Sequence, residues 1–400
     1  MRDVFICDAI RTPIGRFGGA LAPVRVDDLA ALPISSLLKR SPNLDPALID
    51  EIMLGCANQA GEDNRNVARM AGLLAGVPVS VPGVTYNRLC ASGLEAVGGA
   101  FRAIASGEME LIVAGGVESM SRAPFVLGKS ESAFSRAIML EDTTIGWRFV
   151  NPKMKATHGV DTMPQTADLV ANKYEVSRAD QDAFALQSQT RAAHAQRIGY
   201  FSEEIVPVTI SLKKGIVVVE HDEHIRSDTT LDKLASLSPI NGPGNTVTAG
   251  NSSGVNDGAA AMLIASDAAV KRSGLTARAR ILGMASAGLE PREMGYGPVP
   301  AIERLLSRLG MSISDFQVIE INEAFASQSL AVARALGLED TASHLNANGG
   351  AIALGHPLGM SGARLAMTAV HQLQQSGGKF ALVALCVGVG QGLAMAIEAV

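Results

Sequence analysis

The stretch Asn87-Arg88-Leu89-Cys90-Ala91-Ser92-Gly93 marks the junction between a predicted strand and a predicted helix. An apolar, β-branched segment, Val81 to Tyr86, precedes it. After it, apolar residues recur at helical spacing, namely Leu94, Val97, Phe101 and Ile104. Gly107 is placed to end that helix. Cys90 is therefore expected near the N-terminus of a helix that follows a strand.

A cysteine at that place has two readings. The unpaired N–H groups and the positive end of the helix dipole favour the thiolate, which is the reactive form of the side chain. A free cysteine is more often a small buried hydrophobe, however. Cys90 is thus a candidate nucleophile that the remaining sequence must support.

Composition restricts the class of protein. The chain has 400 residues, of which 47% are apolar and 18% charged, so it is long enough for two or three domains. The net charge is −5 with acidic and basic residues interspersed, which predicts neither nucleic-acid binding nor a membrane-surface patch. An anionic ligand would require a local group of basic residues.

The cysteines and the termini indicate a protein of the cytoplasm. Four cysteines are scattered without a CxxC pair, which favours neither a disulfide framework nor a structural zinc site. No targeting segment precedes Val4, and no apolar run reaches the roughly 18 residues of a membrane span. A reducing, cytoplasmic location is the expectation.

Strands and helices alternate in the first part of the chain, which predicts a mainly parallel sheet covered by helices. The predicted elements are strands at 3–10, Ile49 to Cys56 and Leu111 to Ala114, the last stopping at Gly115-Gly116, and helices at 27–40 and Val67 to Leu74.

The last third repeats the first. Phe380 begins a predicted strand at the same interval after Gly362 at which Leu111 follows Gly93. The strand Val318 to Ile321 likewise corresponds to the earlier strand that ends at Cys56. We infer two similar α/β halves packed together, in which Gly359 occupies the place of Cys90.

Between the halves, about Val117 to Asn245 has less regular alternation and is interpreted as an insertion. Ser177-Arg178-Ala179-Asp180 resembles a capping box and predicts a long exposed helix. His221-Asp222-Glu223-His224 permits a metal interpretation, but no third ligand motif lies nearby, so a solvated loop is favoured.

Three polar or glycine-rich stretches follow predicted strands in the second half: Asn322 to Ala326, Asn346 to Gly362, and Cys386 to Gly392. Ligands collect beyond the carboxyl ends of parallel strands. His356, between Gly355 and Pro357, is a candidate base for a thiol, with a turn-capping histidine as the alternative. The last stretch can expose backbone N–H groups as an oxyanion hole requires, and its spacing does not fit a dinucleotide site.

Taken together, five motifs resemble the signature set of the thiolases, in order along nearly the whole chain. They are Asn87 to Gly93, Gly115 to Ser121, Asn322 to Phe325, Gly355-His356-Pro357 and Cys386 to Gly392. The resemblance implies an α/β, five-layer αβαβα fold of two related halves with an inserted loop domain. It implies reversible cleavage of a 3-oxoacyl-CoA by coenzyme A, in a homodimer or homotetramer.

The implied domains are an N-terminal half at 1–120 completed by about 246–270, a loop domain at 121–245, and a C-terminal half at 271–400. The loop domain would contribute CoA and acyl binding and contacts between subunits. Coenzyme A enters as a co-substrate, and no permanent cofactor, redox group or metal is expected.

The resemblance also implies roles for matching residues. Cys90 would be the nucleophile and His356 the base that takes its proton. Backbone N–H groups of Cys90 and Gly388 would bind the oxyanion. His356 and a water on Asn322 would hold the enolate oxygen, and Cys386 would protonate the enolate carbon.

For coenzyme A, Ser253 stands at the family's pantetheine contact, with Ala249 and Gly250 lining it, and Arg226 stands at a basic contact to the nucleotide. Met163 and Phe325 match residues that line the acyl pocket. Three positions depart from the family pattern: Ala91 and Val389 replace glycines, and Thr162 replaces a histidine of acetoacetyl-type thiolases.

The region Asp142 to Asp168 resembles the loop domain of 3-oxoadipyl-CoA thiolases of aromatic-compound catabolism. That substrate would give succinyl-CoA and acetyl-CoA, and its terminal carboxylate would need a cation inside the cleft. Arg148 is the first candidate for this cation, with Arg88 and Lys153 behind it, and a solvated surface arginine is the alternative. A general acetyl-CoA acetyltransferase and a fatty-acid 3-ketoacyl-CoA thiolase remain alternative functions.

Two rival classes stay open. Gly250-Asn251-Ser252-Ser253-Gly254 satisfies GxSxG, the elbow of serine hydrolases, which requires a strand, a sharp turn and then a helix. A non-catalytic acyl-CoA carrier on the same fold could dispense with Cys90, His356 or Cys386, yet all three are present.

Overall fold

A computed structural model describes residues 2–400 as twelve α-helices and fourteen strands joined by short 3-10 turns. The helices are α1 Val26–Arg40, α2 Val67–Leu74, α3 Ser92–Ser106, α4 Pro152–His158, α5 Met163–Lys173, α6 Arg178–Arg197, α7 Leu231–Ala235, α8 Asp267–Arg272, α9 Pro298–Leu309, α10 Ala326–Ala335, α11 Ala351–Leu354 and α12 Leu358–Ser376. The strands are β1 Val4–Arg11, β2 Gly15–Arg16, β3 Glu51–Gly55, β4 Gly83–Tyr86, β5 Leu111–Ser119, β6 Phe125–Leu127, β7 Leu140–Asp142, β8 Val208–Leu212, β9 Gly215–Val219, β10 Asn256–Ser266, β11 Ala279–Gly288, β12 Val318–Ile321, β13 Phe380–Val387 and β14 Gln391–Ala399.

The main sheet has two halves of corresponding topology. Its order is β12-β13-β14-β11-β1-β10-β5-β3-β4, and a short β1–β11 pairing joins the halves. The outer strands of each half are parallel, whereas the strands between them are antiparallel. The prediction of a mainly parallel sheet is therefore wrong, because β14 follows β13 as a hairpin and β10, after the insertion, lies antiparallel to both β5 and β1.

Alternate residues of the strands face two different cores, which produces five layers. In β10, Met262 and Ile264 face the central core while Leu263 faces an outer core under α1, α2 and α8. In the second half, β13 and β14 face the same central core on one side and α9 and α10 on the other. Helices α3 and α12 fill the central layer, so the predicted αβαβα arrangement of two related halves is confirmed.

The two central helices cross at glycines near their N-termini. A Cβ on Gly93 would lie 2.6 Å from the carbonyl oxygen of Gly359, and one on Gly362 would overlap the backbone nitrogen of Leu94. Only glycine permits this approach of backbone to backbone. The loops that precede α3 and α12 are consequently brought to the same place.

Strand β5 does not stop at its paired glycines but runs on to Ser119. A Cβ on Gly115 would meet the carbonyl of Ala260, and one on Gly116 would meet that of Gly359. Glycine is required here because neighbouring backbone lies close, not because the strand ends. The predicted boundary was wrong for this reason.

The inserted segment contains two hairpins and four helices, and it covers one end of the halves. The capping box at Ser177 and Asp180 is confirmed at the start of α6. The prediction that this helix is exposed holds for one face only, because residues such as Phe184, Ala185 and Ala192 are buried. None of the helices within residues 2–400 has the length and hydropathy needed to cross a membrane.

The His221–His224 segment is not simply a solvated loop. The buried Asp222 accepts two hydrogen bonds from Arg11, of 2.7 and 2.9 Å, and a third from the backbone of Ile14. Arg11 also donates to Glu204 at 2.9 Å. Asp222 thus belongs to a buried ion-pair network that connects the insertion to β1.

Gly362→Ala is expected to destabilise the protein by about 2 kcal/mol, because the added methyl group must push α3 and α12 apart. The free energy of unfolding in urea measures the effect. Gly288→Ala is the control, since the nearest atom to its new Cβ lies 3.9 Å away. A Gly362→Ala protein as stable as the control would contradict the proposed tightness of the crossing.

Candidate active site

A cavity of about 310 Å³ opens beside the N-terminal end of α3. Four of the residues selected from the sequence line it, namely Cys90, Arg148, Met163 and Gly388. Its other walls come from three places: the segment after β3, the β7–α4 connection, and the turn between β13 and β14. The insertion and both halves therefore contribute to one site.

Cys90 lies in a 3-10 turn, Leu89–Ala91, directly before α3. The turn is held by Ser92, whose hydroxyl accepts the backbone N–H of Arg88 at 2.9 Å and donates to the carbonyl of Leu89 at 2.7 Å. The position near a helix N-terminus is as predicted. Burial nevertheless raises the pKa of the Cys90 thiol to about 11, although the backbone N–H groups of Gly388 and Cys90 lower it.

The preference for the thiolate that a helix N-terminus predicts is therefore not the dominant effect on Cys90. The desolvation of a charged sulfur outweighs the favourable backbone groups at this site. The Cys90 side chain rests as a thiol, and its nucleophilic form requires a base to take the proton.

His356 provides a base whose tautomer follows from its hydrogen bonds. Its Nδ1 lies 2.6 Å from the hydroxyl of Ser361, which itself donates to the carbonyl of Pro357 at 2.8 Å. Because that hydroxyl has a single proton, it accepts from Nδ1–H. Nε2 is then unprotonated and lies 3.3 Å from the side-chain amide of Asn322.

Burial and the charge of Arg364 lower the pKa of His356 to about 3, so the imidazole is neutral near pH 7. The backbone N–H of His356 donates to Asn256 at 2.9 Å, which holds the loop before α12. The side-chain oxygen of Asn322 is buried and has no hydrogen-bond partner among the described residues. It is free to accept a hydrogen bond from a ligand or solvent.

Cys386 lies at the end of β13 and is fully buried. Burial raises the pKa of its thiol well above the ordinary value, and a negative charge on Cys90 would raise it further. Phe325 and Met163 pack in the same apolar cluster as Cys386. A second thiol, two predicted pocket residues and the nucleophile candidate thus lie together.

The turn after β13 carries Gly388 and Val389. The backbone N–H of Gly388 acts on the sulfur of Cys90 and lowers the pKa of its thiol. Val389 has a φ of 62°, a conformation that a β-branched residue adopts only under strain. The glycine more usual in the family would remove this strain, so the departure at Val389 has a local energetic cost.

The segment that was assigned to coenzyme A pairs with the Asn322 loop. The backbone N–H of Ser253 donates to the carbonyl of Ala324 at 2.9 Å, which sets Ser253 and the preceding Ala249 and Gly250 beside that loop. Arg226 is exposed, and its backbone N–H donates to Gln189 at 2.8 Å. Ser253 thus contacts the loop whose Ala324 and Phe325 pack with Cys386, whereas Ala249 and Arg226 are exposed.

Among the three cations considered for a substrate carboxylate, Arg148 is the one that lines the cavity. It is half-buried, donates only to the carbonyl of Asn58 at 3.4 Å, and has no carboxylate partner among the described residues. Arg88 instead forms an ion pair with Glu95 at 2.7 Å. Lys153 is exposed on α4. Arg88 thus already has a carboxylate partner, and Arg148 stays the first candidate.

Sequence reasoning assigned no role to Glu118 or Ser361. The buried carboxylate of Glu118 accepts backbone N–H groups of Ala57, Asn58 and Gly359 at 2.8 to 3.1 Å, and burial raises its pKa to about 7. An acid inside the otherwise apolar β5 was the available signal for it. For Ser361, only its position in the first turn of a helix after the histidine could have been noticed.

The GxSxG interpretation fails on local structure. Ser252 is buried and its hydroxyl donates to the carbonyl of Thr248 at 2.6 Å. The segment that follows is strand β10 and not a helix, so no nucleophile elbow forms.

Alkylation of Cys90 by iodoacetamide is expected to accelerate about tenfold per pH unit between about pH 6 and about pH 9, because the thiolate remains a small fraction throughout. Mass spectrometry of the native protein follows the reaction, with Cys90→Ala as the control for labelling of the three buried cysteines. A rate that is constant from about pH 6 upward would mean that a thiolate already exists at rest.

Comparison with known proteins supports the resemblance to the thiolases that the sequence motifs indicate. Residues 4–268 match the family described as the thiolase N-terminal domain, and residues 275–399 match the thiolase C-terminal domain. The chain is 69% identical to a beta-ketoadipyl-CoA thiolase of Pseudomonas putida and 62% identical to a 3-oxoadipyl-CoA/3-oxo-5,6-dehydrosuberyl-CoA thiolase of Escherichia coli, each over the full length of both chains. The crystal structure of the Bacillus anthracis acetyl-CoA acetyltransferase superposes with a TM-score of 0.93 at 40% identity, covering 100% of this chain and 99% of that one. The chain belongs to the thiolase family.

Proposed function

We propose that the protein cleaves 3-oxoadipyl-CoA with coenzyme A to succinyl-CoA and acetyl-CoA. The observation that carries the proposal is the convergence of Cys90, Gly388 and Arg148 on one cavity, in a chain 62 to 69% identical to thiolases named for that substrate. The arrangement combines a nucleophile, an N–H donor and a cation. These are the groups that an acyl transfer from an anionic substrate requires.

In the first step, Nε2 of His356 takes the proton of Cys90, and the sulfur attacks the 3-oxo carbon. The backbone N–H groups of Cys90 and Gly388 stabilise the resulting oxyanion. The neutral resting states of both side chains fit this order of events, because the charged pair forms only as the reaction proceeds.

The tetrahedral adduct then collapses to the acyl-enzyme, and the bond between carbons 2 and 3 breaks with its electron pair on carbon 2. His356 and a water held by Asn322 bind the enolate oxygen of the departing acetyl-CoA. Cys386 protonates carbon 2. Its raised pKa keeps it a thiol until that step, which suits a general acid.

In the second half-reaction, the thiol of coenzyme A loses its proton to Cys386 or His356 and attacks the thioester on Cys90. The same oxyanion site stabilises this second tetrahedral species. Ser253, Ala249 and Gly250 contact the pantetheine, and Arg226 contacts the nucleotide. The exposure of Ala249 and Arg226 and the contact of Ser253 with the loop after Asn322 support this assignment for the non-reacting part of coenzyme A.

Arg148 binds the terminal carboxylate of the acyl chain. A guanidinium can hold both carboxylate oxygens and keeps its charge when partly buried. Asn58 supports the loop that carries Arg148, because its side chain donates to the carbonyl and the hydroxyl of Thr143 at 3.0 and 3.2 Å. A thiolase for plain fatty chains or acetoacetyl-CoA has no use for such a cation.

The chain acts as a homodimer or homotetramer, and the domains divide at about residues 120, 245 and 270. An exposed apolar hairpin in the insertion supports the assembly, since large exposed apolar groups mark interaction sites. It presents Phe125, Leu127, Phe134, Ile138, Met139 and Leu140.

Cys90→Ala is expected to abolish the acyl-enzyme, because the other three cysteines are buried. Mass spectrometry after incubation with acetyl-CoA measures the adduct, and Cys7→Ala serves as the control that keeps it. An adduct that persists on Cys90→Ala would refute the assigned nucleophile. A wild-type protein without adduct or thiolysis would favour a non-catalytic carrier.

Arg148→Leu is expected to have a lower kcat/KM on 3-oxoadipyl-CoA, by an amount equivalent to roughly 2–4 kcal/mol of transition-state binding, and an unchanged rate on acetoacetyl-CoA. The reason is that only the first substrate brings a carboxylate into the cleft. Lys153→Leu is the control and should change neither rate. Equal losses of Arg148→Leu on both substrates would assign it a structural role.

A further inference from the structure

A line of polar residues runs along the buried side of α12. Ser361, Arg364, Thr368 and His371 follow one another at helical spacing, and each is at most 5% exposed. The neighbouring residues of the helix are apolar and belong to the central core. This polar line begins at Ser361, which holds Nδ1 of His356.

Strand β12 supplies the facing groups. Ile319 and Ile321 face the outer core, so the alternate residues Glu320 and Asn322 are directed toward α12. Arg364 Nη1 lies 3.2 Å from Glu320 Oε2, and both side chains are almost completely buried. The ion pair thus joins the helix that carries Ser361 to the strand that leads into Asn322.

The ion pair is poorly satisfied for one so deeply buried. Arg364 Nη2, Glu320 Oε1 and the hydroxyl of Thr368 have no hydrogen-bond partner among the described residues. A buried pair with unsatisfied atoms is weak support for stability, because desolvation costs more than such a contact returns. A contribution other than stability accounts better for the pair.

We propose that Arg364 is a positioning residue that, through Glu320, holds Asn322 against Nε2 of His356. The inference rests on the proposed function, in which His356 and Asn322 bind the enolate oxygen. The ion pair acts on both sides of the 3.3 Å contact between His356 and Asn322. Arg364 lies one helical turn after Ser361, which holds His356, and Glu320 lies two residues before Asn322.

The charge of Arg364 also acts on His356. Burial has the larger effect in lowering the pKa of His356, and the positive charge of Arg364 lowers it further. Among the residues that the structure describes, the other groups around the imidazole and its loop include no second cation. They are the amides Asn256 and Asn322, the hydroxyl of Ser361, the thiols Cys90 and Cys386, and Glu118, which binds the N–H of Gly359. Glu320, the partner of Arg364, also titrates, and burial raises its pKa to about 8. Loss of the Arg364 charge should therefore raise the pKa of His356.

The test compares wild type, Arg364→Met, Arg364→Lys and the double variant Arg364→Met/Glu320→Leu. We expect kcat for thiolysis to fall about 10²-fold in Arg364→Met and in the double variant, with KM for coenzyme A unchanged within about twofold. Arg364→Lys should recover part of kcat. NMR of ¹³C-labelled imidazole should find His356 titrating at higher pH in Arg364→Met than in wild type or Arg364→Lys.

The double variant keeps the test valid if Arg364→Met fails to fold, since replacing both members of a buried pair by apolar residues is often neutral for stability. Thr368→Val is the matched control, one turn further along the same line, and should leave kcat unchanged. A double variant that folds with wild-type kcat, or a His356 pKa that is unmoved in Arg364→Met, overturns the inference. If wild type itself forms no acyl-enzyme, the proposed function fails instead.

Discussion

The crossing of α3 and α12 is the constraint on which the site depends. Each helix begins a few residues after a candidate catalytic side chain, Cys90 in one half and His356 in the other. Two helices with ordinary side chains at the crossing would lie several ångströms further apart. Glycine at Gly93, Gly359 and Gly362 removes that separation, so two loops from distant parts of the sequence form one site.

Burial is the second physical factor, because it determines the resting protonation of the reacting groups. It raises the pKa of the thiols of Cys90 and Cys386 and lowers that of the imidazole of His356. All three groups are consequently neutral near pH 7. A neutral site can move protons in both half-reactions and meets each transient negative charge with N–H donors already in place.

The insertion supplies one wall of the cavity beside Cys90. It supplies the wall that carries Arg148 and Met163, and it is attached to the halves by specific polar contacts. The side chain of Asn58 donates to the carbonyl of Thr143. Arg292 forms an ion pair with Asp161 at 2.6 Å, and the indole N–H of Trp147 donates to the backbone carbonyl of Asp161. A change in this one segment can therefore alter the cavity and leave the positions of Cys90, His356 and Cys386 unaltered.

The sequence by itself determined the local features of the protein. Helical spacing and a terminal glycine located α3, the equal interval after Gly93 and Gly362 indicated two related halves, and the motifs around Cys90 and His356 indicated the family. These are properties of short segments, for which periodicity and turn residues are sufficient. Strand direction, by contrast, depends on which segments become neighbours, and the mixed sheet could not be read from alternation alone.

Only the tertiary structure decided the properties that arise from contacts between distant residues. The thiol state of Cys90 follows from burial, which exceeds the helix-end effect that its position predicts. The sequence ranked Arg148 before Arg88 but could not assign their surroundings, in which Arg88 pairs with Glu95 and Arg148 lines the cavity. The partners of Ser361 and Glu118 were likewise decided by packing. Desolvation and charge pairing are sums over neighbours in space, and the order of residues along the chain does not contain them.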